Sequence, residues 1–185
     1  MLNGERVVLR AIEREDAGRL WELTDAFEVR SLASERPPLP RSRTEVEAEF
    51  DRDPSSAGQD RAWFAVEAGG ELIGICGLHH IDHYHRVCDL GIRLGTDFWG
   101  KGFGQDACRT LVQYAFRYLN LRKVGLEVLA DDARAVGAYR AVGFVEEGRL
   151  RQQAWFDGAY RDTLRMAVLR DEWPSWTGPD PGPVG

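Results

Sequence analysis

Apolar and polar positions change period several times along the chain, and each change marks an element. In Lys123–Leu129 the apolar Val124, Leu126 and Val128 recur at every second residue, the repeat of a strand with one buried face. Arg6–Ile12, Ala62–Ala68, Glu71–His79 and Arg86–Leu94 are short, largely apolar runs that read as further strands. Gly69-Gly70 closes a two-residue hairpin between the second and third of these, and Asp157-Gly158 closes another between Phe144–Phe156 and Ala159–Leu169. A helical repeat replaces the alternation in Asp16–Phe27, with Leu20, Leu23 and Phe27 on one face. It returns in about Gly104–Leu119, with Ala107, Leu111, Ala115 and Tyr118. Thr44 is placed to cap a short helix over Glu45–Phe50, and Asp132 opens a helix that Gly143 stops. The order is one strand, two helices, three strands, then helix, strand, helix and a closing hairpin. It predicts a mixed sheet with helices on both faces.

Proline sets the limits. Pro37, Pro38, Pro40 and Pro54 lie early, Pro174, Pro179, Pro181 and Pro183 lie at the end, and residues 55–173 have none. That stretch is expected to hold the sheet and main helices, because proline breaks both. Residues 29–43 read as a proline-rich loop, 1–172 as a single domain, and 173–185 as a disordered Pro/Gly-rich tail. No internal repeat is visible.

Composition removes several function classes. A chain of 185 residues with 43% apolar and 29% charged residues is an ordinary globular mix. The formal charge of −6 shows no basic face for nucleic acid and weakly favours a cationic partner. No apolar run approaches a membrane span, and MLNGERVVLR lacks the apolar stretch of a signal peptide. Cys76, Cys88 and Cys108 are odd in number with no CxxC pair, which suits a cytoplasmic chain with reduced, buried thiols.

The most informative segment is Trp99-Gly100-Lys101-Gly102-Phe103-Gly104-Gln105, between a predicted strand and a predicted helix. Glycines let the backbone turn sharply and let a ligand approach the chain. The unbonded N–H groups of the following helix turn, with the positive end of its dipole, make a site for phosphate or pyrophosphate. A plain glycine turn is the bland alternative. A dinucleotide-binding βαβ unit requires GxGxxG in a first βα turn, and a phosphate loop of the Walker type requires GK[ST]; neither is present.

The segment resembles the acetyl-CoA pyrophosphate loop of the GNAT superfamily of N-acetyltransferases, [RQ]-x-x-G-x-[GA]. Gly102 and Gly104 match its last fixed positions, and Trp99 stands where Arg or Gln is usual. The resemblance extends through DLGIRLGTDFWGKGFG, NLRKVGLEVLADDARAVGAYRAVGFVEEG and WFDGAYRDTLRMAVL, over about residues 5–170. The last of these is similar to the closing hairpin of the spermidine and ribosomal-protein N-terminal acetyltransferases. The resemblance implies a GNAT-like mixed, mostly antiparallel twisted sheet of about seven strands with helices on both faces. It also implies acetyl-CoA as co-substrate, with no metal.

Moving an acetyl group from a thioester to an amine requires a deprotonated amine, a stabilised oxyanion and a proton for the departing thiolate. In the resembling family a tyrosine at the place of Tyr139, within AYRAVGF, is the general acid. Relatives commonly carry Glu at the place of Asp89, where it acts on the incoming amine directly or through water; the shorter Asp favours a water relay or an anchoring role. Ile92, Arg93 and Leu94 fall where the family's strand splays and its backbone pairs with the pantetheine arm. Gly100, Lys101, Gly102, Phe103, Gly104 and Gln105 make the phosphate cradle. Asp132 stands where Asn often contacts the coenzyme.

His79, His80, His83 and His85 invite a zinc reading, but HHxxHxH is no standard site. His83 and His85 are expected in a solvated loop at the cleft mouth, where one could shuttle a proton. Trp21, Trp63 and Trp155 read as packing residues, with Trp155 also near the acceptor cleft. The expected acceptor is a small amine (polyamine, metabolite or antibiotic) or a protein N-terminal amine, attacked directly in a ternary complex. No nucleic-acid or membrane partner is expected, and a homo-oligomer stays open. The competing reading is an acyl-CoA-binding sensor without turnover, favoured by Trp99 and Asp132 and opposed by Tyr139 and Asp89.

Overall fold

The computed structural model describes residues 1–24, 29, 41–52, 58 and 60–173. Most of the expected loop over 29–43, the end of the first predicted helix and residues 174–185 lie outside the described residues. Among the described residues there are eight strands and four α-helices. The strands are β1 (Leu2–Asn3), β2 (Val8–Arg10), β3 (Ala62–Ala68), β4 (Glu71–Asp82), β5 (Val87–Leu94), β6 (Lys123–Leu129), β7 (Val145–Phe156) and β8 (Ala159–Leu169). The helices are α1 (Asp16–Thr24), α2 (Arg43–Arg52), α3 (Phe103–Arg117) and α4 (Ala133–Val142). No helix among these residues is long and apolar enough to cross a membrane.

The sheet runs β1-β2-β3-β4-β5-β6-β8-β7, and every neighbouring pair is antiparallel except β5 and β6. The expected fold is thus present, with one correction. The predicted first strand Arg6–Ile12 is shortened to β2, and an unpredicted two-residue β1 precedes it across an interruption at residues 4–7; the two strands pair with each other and bring the sheet to eight strands. The interruption has a cause in Asp106 of α3, which is 3% exposed. Its carboxylate accepts the backbone N–H groups of Glu5, Arg6 and Val7 at 3.1, 2.7 and 3.0 Å. Those amides serve the helix instead of a strand ladder.

Both glycine turns form as read, with Gly69 and Gly70 at φ +59° and +81°, and Asp157 and Gly158 at +47° and +74°. Gly143 caps α4 at φ +115°, and Asp132 accepts the Ala135 N–H at 2.9 Å at its start. The α2 cap differs from expectation. Ser42, not Thr44, begins the helix: its hydroxyl accepts the Glu45 N–H at 3.2 Å while the Glu45 carboxylate accepts the Ser42 N–H at 2.7 Å. This is a capping box, so the helix starts at Arg43, two residues before the predicted Glu45. Packing continues through Trp173, which is 3% exposed and donates its indole N–H to the Val142 carbonyl at 3.2 Å.

Strand alternation divides the sheet into two faces. Val66, Cys76, Leu78, Cys88, Leu90, Val124 and Leu126 pack on one face against Ala107, Leu111, Val112 and Ala115 of α3. Ala65 and Leu72 pack on the other face against Leu23 of α1. Cys76, Cys88 and Cys108 are buried free thiols, as expected. Burial pushes both the Cys88 and Cys108 thiols up to about 12.

Candidate active site

The site grows from the one parallel pair. The β5–β6 ladder holds only Val87–Lys123, Cys88–Val124 and Asp89–Gly125, although the strands run on to Leu94 and Leu129. At one end of β5 the Arg86 carbonyl accepts the Arg122 N–H at 2.8 Å; at the other the Gly95 N–H donates to the Ile73 carbonyl at 3.0 Å. Alternation between these anchors turns the amide and carbonyl groups of Leu90, Ile92 and Leu94 towards β6, where the ladder has already stopped. The predicted splay at Ile92–Leu94 is therefore present. Arg93 points its side chain away from this edge, with its guanidinium 5.9 Å from the Trp63 ring centroid.

The glycine loop lies at the open end of that wedge. Gly100 and Gly102 have φ +70° and +84°. Gly102 is the N-cap of α3 and has no side chain to accept the first-turn N–H groups of Phe103, Gly104 and Gln105. A Cβ at Gly104 would meet only Leu94 Cδ1 at 3.7 Å, an ordinary contact. The Lys101 carbonyl accepts from Arg6 Nη1 at 2.5 Å, and the Arg6 guanidinium stands 5.5 Å from the Phe103 ring centroid. Arg6 thus ties the loop to the N-terminal segment and adds positive charge beside it. Trp99 occupies the Arg/Gln position but does something different there. Its indole N–H donates to the Leu94 carbonyl at 2.9 Å, and Arg134 stacks on its ring at 4.2 Å.

A cleft of about 310 Å³ opens beside this loop, lined by Trp99, Leu129, Asp131, Asp132, Arg134 and Phe156. Asp132 therefore both caps α4 and faces the cleft. Tyr139, two turns along α4, packs edge-on against Phe144 at 5.8 Å. Burial pushes its phenol up, and the nearby Cys108 and Asp132 push it further, so the hydroxyl holds its proton through neutral pH.

Asp89 faces the α1 side of the sheet. Arg165 of β8 donates to its Oδ1 at 2.5 Å, and His80 Nδ1 stands 3.3 Å from its Oδ2. Burial alone would raise this carboxyl. Arg165, by hydrogen bond and charge, with His80 and His79, outweighs burial and holds it below the usual aspartate range. The same face carries Gly77, Gly91 and Gly125 on three successive strands. A Cβ at Gly77 would meet the Trp63 ring at 2.5 Å, and one at Gly125 would meet Arg165 Nη2 at 2.6 Å. Trp63 and Arg165 thus lie flat over a floor of glycines, so Trp63 shapes this face beyond filling it.

His83 and His85 are exposed on the turn after β4, as expected, and the imidazoles beside Asp89 are those of His79 and His80. Among the described residues, His79, His80 and Asp89 bring donor atoms within 4.8 Å of one another. Arg165 already holds the Oδ1 of that carboxylate, so a metal ion there would have to share Asp89 with a guanidinium. Arg6, Asp106 and Arg165 were missed by sequence reading. Each acts on a partner far along the chain, and charged residues at such spacings carry no local signal.

The GNAT acetyltransferase domain model matches residues 6–145 of this chain. Spermidine N(1)-acetyltransferase of Vibrio cholerae is 32% identical over 169 residues, covering 91% of this chain and 95% of that protein. The putative ribosomal N-acetyltransferase of Bacillus subtilis is 29% identical, over 91% of this chain and 94% of its own. The crystal structure of the Vibrio cholerae spermidine N-acetyltransferase with CoA and spermine superposes with a TM-score of 0.81 at 30% identity, covering 90% of this chain and 97% of that one.

Proposed function

The chain belongs to the GNAT acetyltransferase family and is an acetyl-CoA-dependent N-acetyltransferase of amines; we propose that its acceptor is a small primary amine entering on the α1 side of the sheet. The observation that carries this reading is the early end of the β5–β6 ladder at Asp89–Gly125. It leaves strand edge available to the pantetheine arm at Ile92, with the glycine loop and the α3 N-terminus beyond it for the pyrophosphate. Gly100–Gln105 supply backbone N–H groups, and Lys101 and Arg6 supply positive charge beside them.

In the proposed reaction the amine attacks the thioester carbonyl in a ternary complex. The C–N bond forms, the oxyanion collapses, the C–S bond breaks, and the Tyr139 hydroxyl supplies the proton that the thiolate takes. The proton lost by nitrogen in the collapse restores the phenol. Its partly buried setting suits an acid that stays protonated until a thiolate develops beside it. Asp89 acts by charge and orientation, because a carboxyl held below the ordinary range is a weak base at neutral pH.

Polyamines enter the acceptor class through the named relatives, and single amines enter it through the local charge. Around Asp89, the acids Asp89 and Glu127 are matched by Arg165 and Arg93. Thiol release from acetyl-CoA, followed against spermidine, monoamines and peptides with free N-termini, tests the reading. We expect at least one amine to accelerate release well above hydrolysis. Tight acetyl-CoA binding with no acceleration by any amine would return the protein to the sensor class.

A further inference from the structure

Side chains of successive strand residues point to opposite faces of a sheet, so His79 and His80 cannot both reach Asp89 from a regular strand. They do so because β4 carries an extra residue. The ladder pairs His79 with Asp89 and Asp82 with Val87, and the register shifts between them. His80 sits in this bulge at φ +51°, a left-handed conformation uncommon outside glycine. The bulge places His79 Nδ1 3.2 Å from His80 Nδ1, and His80 Nδ1 3.3 Å from Asp89 Oδ2. The His79 ring lies parallel to the Trp63 indole, at 2° and 5.9 Å between centroids. At the other end of the chain of groups, the His80 side chain is 71% exposed and the Asp89 side chain 20%.

The tautomer follows from the partners. An ionised carboxylate only accepts hydrogen bonds, so His80 Nδ1 carries the hydrogen and Nε2 carries the lone pair. The charged and titratable groups around this pair are Asp89 on β5, Arg165 on β8, Glu127 on β6 and Arg93 on β5. Asp82, on the bulged strand itself, turns its carboxylate to the His85 N–H instead.

We propose that His80, oriented by Asp89 and flanked by His79, relays to bulk water the proton that the acceptor ammonium must lose. The proposal rests on the acetyl-transfer reading above and names the proton path that reading leaves open. The balance is R–NH₃⁺ plus acetyl-CoA giving R–NH–acetyl, CoA-SH and one proton. That net proton passes through solvent on the α1 side of the sheet to the exposed His80 Nε2 and is released from there to bulk water, while the thiolate's proton comes from Tyr139. Asp89 stabilises the transient imidazolium without itself being protonated. His80 acts through water and is a positioning and relay residue.

His80→Gly is the test. Glycine removes the imidazole and suits the left-handed backbone, so the variant should melt no lower than wild type. With acetyl-CoA saturating and the amine varied, kcat/KM should fall by roughly 10²-fold at pH 7. The deficit should narrow towards pH 9, where more amine arrives unprotonated. Added imidazole should restore the rate at pH 7, because the vacated site is open to solvent. His79→Phe, which keeps a ring on Trp63, should give a smaller deficit with the same pH trend. Wild-type kcat/KM at every pH in His80→Gly overturns the relay. So does a loss that is flat with pH and unresponsive to imidazole, which would mark a structural role. If the wild-type protein acetylates no amine, the underlying reading falls and takes the relay with it.

Discussion

Gly104→Ala separates the ligand from the fold, because the two respond with opposite sign. Gly104 lies in the first turn of α3 with ordinary helical dihedrals, and its added Cβ would meet only Leu94 Cδ1 at 3.7 Å. Alanine there should stabilise the helix by about 0.5–1 kcal/mol, since glycine loses more backbone freedom on folding. For a chain of this size that raises Tm by roughly 1–4 °C. The same methyl points to Leu94 at the open end of β5, on the path between the glycine loop and the splayed strands. If a coenzyme phosphate rests on the Gly104 N–H, displacing it forfeits one charge-assisted hydrogen bond, about 1.5–3 kcal/mol. Acetyl-CoA should then bind roughly 10- to 150-fold more weakly. Calorimetric titration with acetyl-CoA and a thermal melt of the same sample measure both quantities. A variant with raised Tm and unchanged Kd would remove this turn from the coenzyme site. Gly102→Ala lacks this resolving power: at φ +84°, with Arg6 Nη1 2.7 Å from the new Cβ, it perturbs loop and ligand together.

Tyr139→Phe should lower kcat by roughly 10²–10⁴ with acetyl-CoA affinity intact, and wild-type turnover would assign the phenol to packing. The raised phenol also predicts no alkaline loss from Tyr139 below about pH 10, read from the kcat profile. Asp89 is held below the ordinary range, so the stability it contributes is complete above the unfolded value near ~3.9 and is lost as pH falls through the lower folded value. Asp89→Asn should therefore flatten the acid-side decline of Tm below about pH 4, and a decline as steep as wild type would contradict the pairing with Arg165. Asp106→Asn replaces a buried acceptor of three backbone N–H groups and should cost roughly 2–3 kcal/mol, about 4–12 °C in Tm; an unchanged melt would deny it that role.

What the sequence determined by itself is local. The Gly69-Gly70 and Asp157-Gly158 turns, the Gly143 stop and the period-two run in β6 each depend on residues within one or two turns of chain. Their dihedral and burial requirements are therefore written in neighbouring letters. The Ser42–Glu45 capping box is legible in the same way, as a serine three residues before a glutamate, although Thr44 offers a competing cap two residues on. The glycine loop pointed to a phosphate for the same reason, whereas AYRAVGF pointed to the coenzyme only through the family resemblance.

The acceptor side was decided only in three dimensions. Arg165 meets Asp89 across 76 residues of sequence. Gly77, Gly91 and Gly125 become one floor only once the registers of β4, β5 and β6 are set. A single-residue slip would turn each to the opposite face. His79 and His80 reach the same carboxylate only because a bulge breaks the alternation that their sequence positions imply. Register, bulges and cross-strand ion pairs are set by the summed packing of distant segments, so no short stretch of one chain encodes them.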